Sequence, residues 1–293
     1  MKSPSIIHSL NKTINKATFS SHISKKISPL LMLLFSLFLI SCEEVVDVDL
    51  DTAPPRLVIE ASIKWEKSTS GNVQQIRLTT TAPYYADEVP PVHNATVYIT
   101  DEDGNQFDFI EEDNTGFYTT DSFIPVMNTT YNLTVVHDGE TYTAKETLLP
   151  VSDLTYVTQN SGDVFSEEYI EIKAYFNDPA DEENYYMYTF DAEKDNTIDV
   201  IEDRLVNGNE VFAFFVSEDI QSGEDVDISL SGISKQYYNY MYTLLAQANE
   251  GGGPFETQPA TVRGNIINTT NPDNFAFGYF RLSETDKYTY TIE

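Results

Sequence analysis

Between Arg56 and Glu66 apolar and polar residues alternate without a break. Leu57, Ile59, Ala61, Ile63 and Trp65 fall on one side of an extended chain, and Glu60, Ser62, Lys64 and Glu66 on the other. Successive strand residues point to opposite faces, so a period of two commits this segment to a half-buried β-strand. The pattern returns in short runs: Ile76 and Leu78 within Val73 to Thr81, then Ala95, Val97 and Ile99, then Phe107 and Phe109. Tyr131, Leu133 and Val135 follow, with a return at Tyr142 and Ala144. Turn chemistry separates the runs at Asp103-Gly104, Gly116-Phe117 and Asp138-Gly139, where Gly tolerates positive φ. Short strands with turns between them imply a β-sandwich of immunoglobulin-like or transthyretin-like type over residues 56–149. The 19 Tyr and 17 Phe suit such a fold.

Pro150 with Ser152-Asp153 marks a boundary, and residues 150–293 read as a second β-rich domain. Ile170, Ile172, Ala174 and Phe176 share a strand face. Tyr185 to Phe190 is apolar on both faces, which predicts core on both sides; were one side open, it would be a stacking surface. Val211 to Val216 (VFAFFV) is expected to be another buried strand, and Val226, Ile228 and Leu230 mark one more. Residues 234–250 are the one convincing helix. Ser234 can cap it, Tyr237, Tyr240, Met241, Leu244, Leu245 and Ala248 form an apolar stripe, and Gly251-Gly252-Gly253-Pro254 stops it. Strands are then expected at 262–267, 275–282 and 288–292.

Residues 1–41 read as a lipoprotein signal peptide. Lys2, Lys12, Lys16, Lys25 and Lys26 precede an apolar core from Pro29 to Ile40. Those 12 residues would span roughly 18 Å as a helix, against about 30 Å of bilayer hydrocarbon. That is too short to cross stably and fits the apolar part of a signal. Leu39-Ile40-Ser41-Cys42 ends it, and Cys42 is the sole cysteine. Its thiol is the expected lipidation site and N-terminus of the mature protein, with 42–55 an acidic tether. With that thiol acylated, no other is left for a disulfide, a metal or a nucleophile. The acidic run CEEVVDVDLD is similar to the surface-export signal of Bacteroidota lipoproteins, so an outer-membrane, surface-exposed position is expected.

Charge excludes one class of partner. Five of the 17 basic residues and none of the 47 acidic ones lie in 1–41, so the remainder carries a formal −35. Nucleic-acid binding needs basic patches to neutralise phosphate, and none is available. The membrane is reached through the lipid rather than through the body of the protein.

Chemistry-bearing motifs are sparse. Asp101-Glu102-Asp103-Gly104-Asn105 looks like half a calcium loop, with Glu112 at the distal position. Gln106 to Ile110 reads as a strand, however, so a hairpin turn is expected. His93 and His137 lack a second His or Cys at metal spacing and read as surface residues. There is no GxSxG and no HExxH, and no pair of acids stands out among so many. No catalytic, cofactor-binding or metal-ligating residue is assigned; Cys42 is the single site residue.

In order, the chain resembles the Bacteroidota lipoprotein family catalogued as domain of unknown function 4249. The matching pieces are the acidic run after Cys42, RLVIEASI, Ala95-Thr96-Val97 with Asp103-Gly104, Gly116-Phe117-Tyr118, YNLTV with TYTA, and Asn184-Tyr185-Tyr186. Most specific is the helix followed by Gly253-Pro254-Phe255, Val262-Arg263-Gly264-Asn265-Ile266 and Phe277-Gly278-Tyr279-Phe280. Asp51-Thr52-Ala53 is similar to an O-glycosylation sequon of that phylum. The resemblance implies an outer-membrane lipoprotein serving a TonB-dependent receptor in uptake, without established catalytic residues. Three functions are therefore open: a non-enzymatic ligand-binding or accessory subunit of an uptake system, a structural or adhesive surface module, and, least supported, an enzyme.

Overall fold

The computed structural model describes residues 53–83, 86, 88–164, 167–180, 182–205, 207–249 and 261–293. The leader, Cys42 and the triple glycine lie outside them. Among the described residues no helix is long and apolar enough to cross a membrane. The protein is mainly β, with sandwich-like layers and one α-helix among the described residues.

Strands β1 (Leu57–Glu66), β2 (Gln74–Thr80) and β5 (Phe117–Thr120) form one layer of the first sandwich. Strands β3 (Thr96–Thr100), β4 (Gln106–Glu111), β6 (Thr130–His137) and β7 (Glu140–Thr147) form the other. β4 passes between layers, pairing with β3 through most of its length and with β5 at Ile110 and Glu111. The expected alternation holds: Leu57, Ile59, Ala61 and Ile63 are buried against Ile99, Phe109, Tyr131 and Leu133. The β6–β7 loop is Asp138-Gly139, with φ of 48° and 78°. Two successive positive φ values match the right-handed twist of the flanking strands, and Asp-Gly supplies them at little cost.

Strand β8 (Leu154–Val164), β9 (Glu167–Asn177) and β12 (Glu210–Ser217) make a separate three-stranded sheet, ordered β12-β9-β8. It packs on β10 (Tyr185–Asp191) and β13 (Asp225–Gly232), burying Phe176, Tyr186, Phe190, Phe215, Ile228 and Leu230. β11 (Asn196–Glu202) covers the far edge of β10. β10 is core on both faces, as its sequence predicts. Its other side, Tyr185 and Met187, lies under helix α1 (Lys235–Asn249). Ser234 caps α1, accepting from the Tyr237 N–H at 3.1 Å. The seated stripe is narrower than expected: Tyr237 and Met241 are buried, Tyr240 and Leu245 partly so, and Leu244 and Ala248 are exposed.

Three expectations change. Val211 to Val216 is not a fully buried strand: Phe212, Phe214 and Val216 of β12 face outward and are exposed. Periodicity cannot separate buried from half-buried when both faces are apolar. Residues 262–267 are not a strand; only β14 (Ile267–Asn268) pairs, with β7. The expected strands at 275–282 and 288–292 are one strand, β15 (Phe277–Thr291), whose polar middle is stabilised by neighbours on both sides. β8 and β11, rich in Thr, Gln, Asn and Asp, carry too little apolar pattern to be read from sequence.

β15 is shared. Its first part pairs in parallel with β1, Val58↔Phe277 through Glu66↔Thr285. Its second part pairs antiparallel with β13, Ser231↔Thr285 through Asp225↔Thr291. Phe280 and Leu282 complete the first core. The junction at 149–154 docks on the same strand: the N–H groups of Val151 and Leu154 donate to Glu284 Oε2 (2.9 Å) and Asp286 Oδ2 (2.7 Å). Lys67 adds a hydrogen bond to the Val151 carbonyl at 2.7 Å and an ion pair with Asp153.

The glycines and the asparagine of the two most specific sequence pieces meet at the start of β15. Gly278 has φ of 92°, and a Cβ there would stand 2.0 Å from the Ile59 carbonyl oxygen; one on Gly264 would stand 1.7 Å from the Gly278 oxygen. Asn265 acts as a one-residue surrogate strand, its amide nitrogen donating to the Phe280 carbonyl (2.8 Å) and its amide oxygen accepting from the Phe280 N–H (2.9 Å). Gly278→Ala is therefore expected to lose ~3 kcal/mol or more, through positive φ and a backbone clash. Asn265→Ala should lose about 2 kcal/mol by leaving both Phe280 groups unpaired. Urea unfolding of each variant measures these losses.

Candidate functional site

Cys42, the residue assigned from sequence, lies outside the described residues. Within them, two surfaces have the form of a binding site. The first is a cleft of about 430 Å³ where β7, the 149–150 junction, β10 and the start of α1 meet. Strand alternation places Glu146 in it. Tyr142, Ala144, Glu146 and Leu148 share the inward face, so Glu146 is a carboxylate at a core position. It accepts from the Thr147 N–H (3.1 Å), Ser234 Oγ (3.0 Å) and Tyr279 OH (3.4 Å). Burial outweighs these three bonds and pushes its pKa up. Burial and the adjacent Glu146 also push the Tyr279 hydroxyl up. Lys235 and Glu183 pair at 2.7 Å at the rim. Asn184, beside them, has a buried side-chain Nδ2 without a partner in the structure. Glu146 is thus engaged by donors of the fold, and the group the cleft leaves open is the Asn184 amide nitrogen.

Arg281, on the β1–β15 face under α1, is 4% exposed. It donates to Ser62 Oγ (3.1 Å) and Ser283 Oγ (3.0 Å), and its guanidinium stands 5.3 Å from the Tyr237 ring centroid. It has no ion pair among the described residues. Burial lowers its pKa, though a guanidinium remains charged.

The second surface is the outer face of β12-β9-β8. Tyr156, Tyr175 and Phe212 lie in one row across the sheet, and Thr158, Lys173 and Phe214 in the next. VFAFFV, apolar on both sides, predicts core and hides this face; alternation in β9, where Lys173 and Tyr175 oppose Ala174 and Phe176, carries the signal.

The acids and histidines that the sequence singles out have structural partners. Asp101 caps the β3–β4 turn, accepting from the Asp103 and Asn105 N–H groups at 3.0 and 2.8 Å, and Glu112 accepts from Thr119 Oγ1. The DxDGN segment is thus the expected hairpin turn. Among the described residues no three His, Cys, Asp or Glu side chains come together as a metal-holding group. His93 Nδ1 is 2.6 Å from Glu111 Oε1, and His137 lies beside Asp138. Glu140 accepts from Tyr142 OH (2.7 Å) and from Nδ2 of Asn268, Asn271 and Asn274 (2.9, 3.1 and 2.6 Å), fastening 268–274 to β7. These donors, Tyr142 first, hold its pKa down to about 2.

Two sandwich-like β units sharing one strand, with a helix packed on the second, define a β-sandwich protein. The chain belongs to the family described as Domain of unknown function (DUF4249), whose model matches residues 43–289. No curated protein matches the chain. Among solved structures it is similar to a two fibronectin type-III domain segment from chicken tenascin, at 12% identity, covering 61% of this chain and 90% of that one, with a TM-score of 0.21. A DUF4785 family protein from Legionella pneumophila matches at 8% identity over 62% of this chain and 54% of that one, with a TM-score of 0.22.

The two carboxylates give opposite pH dependences. Glu140, with its pKa depressed on folding, contributes stability present above about 4.5 and lost as pH falls towards about 2. Glu146, with its pKa raised, contributes stability complete in acid and lost as pH rises above the ordinary carboxylate range. Melting curves from pH 2 to 8 should show the acid limb flattened by Glu140→Gln. Glu146→Gln should instead remove part of the decline on the neutral side.

Proposed function

We propose that this protein is an outer-membrane lipoprotein, anchored through Cys42 and exposed at the cell surface. It binds a ligand for, or caps, a TonB-dependent receptor, and it performs no catalysis of its own. The observation that carries the reading is the stretch from Pro29 to Cys42: an apolar run too short to span, preceded by lysines and ending in the sole cysteine. Two features support the division of labour. The formal charge of −35 on residues 42–293 turns polyanionic partners away, leaving lipid as the contact with the membrane. The acids best placed for chemistry, Glu111, Glu140 and Glu146, are each occupied by donors from the fold itself.

Radiolabelled palmitate should enter the native chain and not Cys42→Ser, which should leave the outer-membrane fraction. Extraction in mild detergent should bring a TonB-dependent receptor with the protein. An unlabelled native chain would contradict the anchor, and recovery as a free monomer would contradict the receptor role.

A further inference from the structure

The outer face of the three-stranded sheet carries large side chains where water-facing strands usually carry polar ones. Tyr156, Phe212, Phe214 and Val216 are 40–43% exposed. They are contiguous: Tyr156 and Tyr175 stack at 4.4 Å with planes 13° apart, and Phe212 meets Tyr175 at 5.5 Å. Lys173 sits at the centre, its ammonium 5.3 and 5.6 Å from the Phe212 and Phe214 rings. Its Nζ donates to Glu171 Oε1 at 2.6 Å. Tyr156 OH donates to Glu210 Oε2 at 3.0 Å, and Asn160 Nδ2 to Glu171 Oε1 at 3.1 Å. Three strands and three rows cover about 10 Å by 13 Å. The patch is small, so what singles it out is not its area but the grouping of ring faces around polar side chains on one open sheet face.

Charge and layout select the occupant. A polyanion is repelled by the formal charge of −35 on residues 42–293. A cationic ligand would meet the Lys173 ammonium, which lies 5.3 and 5.6 Å from the Phe212 and Phe214 rings and repels a second positive charge beside them. A protein partner needs a dry apolar centre with charges at the rim; here the ion pair of Lys173 and Glu171 is at the centre and the rings are around it. A neutral ligand that alternates apolar C–H faces with hydroxyls matches both parts. Its C–H faces stack on Tyr156, Phe212 and Phe214, and its hydroxyls meet Lys173, Glu171 and Asn160. We propose that this sheet face binds a neutral carbohydrate chain. The proposal rests on the ligand-binding reading above and names the ligand class.

The test uses the full-length protein in mild detergent, run on native gels cast with amylopectin, galactomannan or xyloglucan. At least one polysaccharide should retard the protein. The double variant Phe212→Ala/Phe214→Ala should bind about tenfold or more weakly, the loss expected for aromatic contacts of this size. Ile110→Ala, an exposed apolar residue on β4, should bind as the native chain does. Tyr156→Ala on the opposite edge strand gives a second reading should the double variant fail to fold, as judged by its melting curve. Unretarded migration with every polysaccharide, or retardation unchanged in the ring variants, would overturn the proposal. So would a dimer seen by ultracentrifugation and lost in the ring variants, which would make the face a contact between copies. Receptor co-purification separates the two readings. Retained receptor without sugar binding sinks only this site, whereas loss of the receptor in the ring variants would make the face a receptor contact.

Discussion

The hydrogen bonding of β15 holds the architecture together. One strand of 15 residues pairs in parallel with β1 and then antiparallel with β13, so a continuous ladder runs from one sandwich into the next. A parallel pair between the first and last strands needs the whole intervening chain as its crossover. The first core is therefore incomplete until the C-terminal residues Phe280 and Leu282 arrive. Gly264, Asn265 and Gly278 make that arrival possible: two lack a Cβ where backbones nearly touch, and the third satisfies the Phe280 peptide groups.

The same strand sorts polar from apolar. Its Phe280 and Leu282 side faces the first core, while Tyr279 and Arg281 face α1, where Tyr237 covers the Arg281 guanidinium. Beyond Thr285 the partner strand changes, and Tyr290 packs against the second core. The second sandwich then leaves its three-stranded sheet with one face buried and one open. Aromatic residues line the open face, and no other described part of the chain covers it.

Much of this was legible in the sequence. Strict alternation located β1, the glycine turns located the hairpins, and the Ser234 cap with its tyrosine stripe located α1 to within a residue at each end. Polar edge strands were not legible: β8 and β11 are held by neighbours, and their own residues contribute little burial. The unity of β15 was hidden by Ser283 to Lys287, whose polar character looks like a loop until the strands beside it are known. For the site the asymmetry runs the other way. Cys42 rests on sequence alone. The aromatic face needed three-dimensional partners, because VFAFFV carries the same apolar pattern whether its second side is covered or bare.

A shared spine strand makes a thermodynamic demand that separate domains do not. Differential scanning calorimetry of the full-length protein in detergent should show a single unfolding transition whose calorimetric and van't Hoff enthalpies agree. Two resolved transitions, with the 150–293 half melting while the 56–149 half stays folded, would contradict the dependence of both cores on β15.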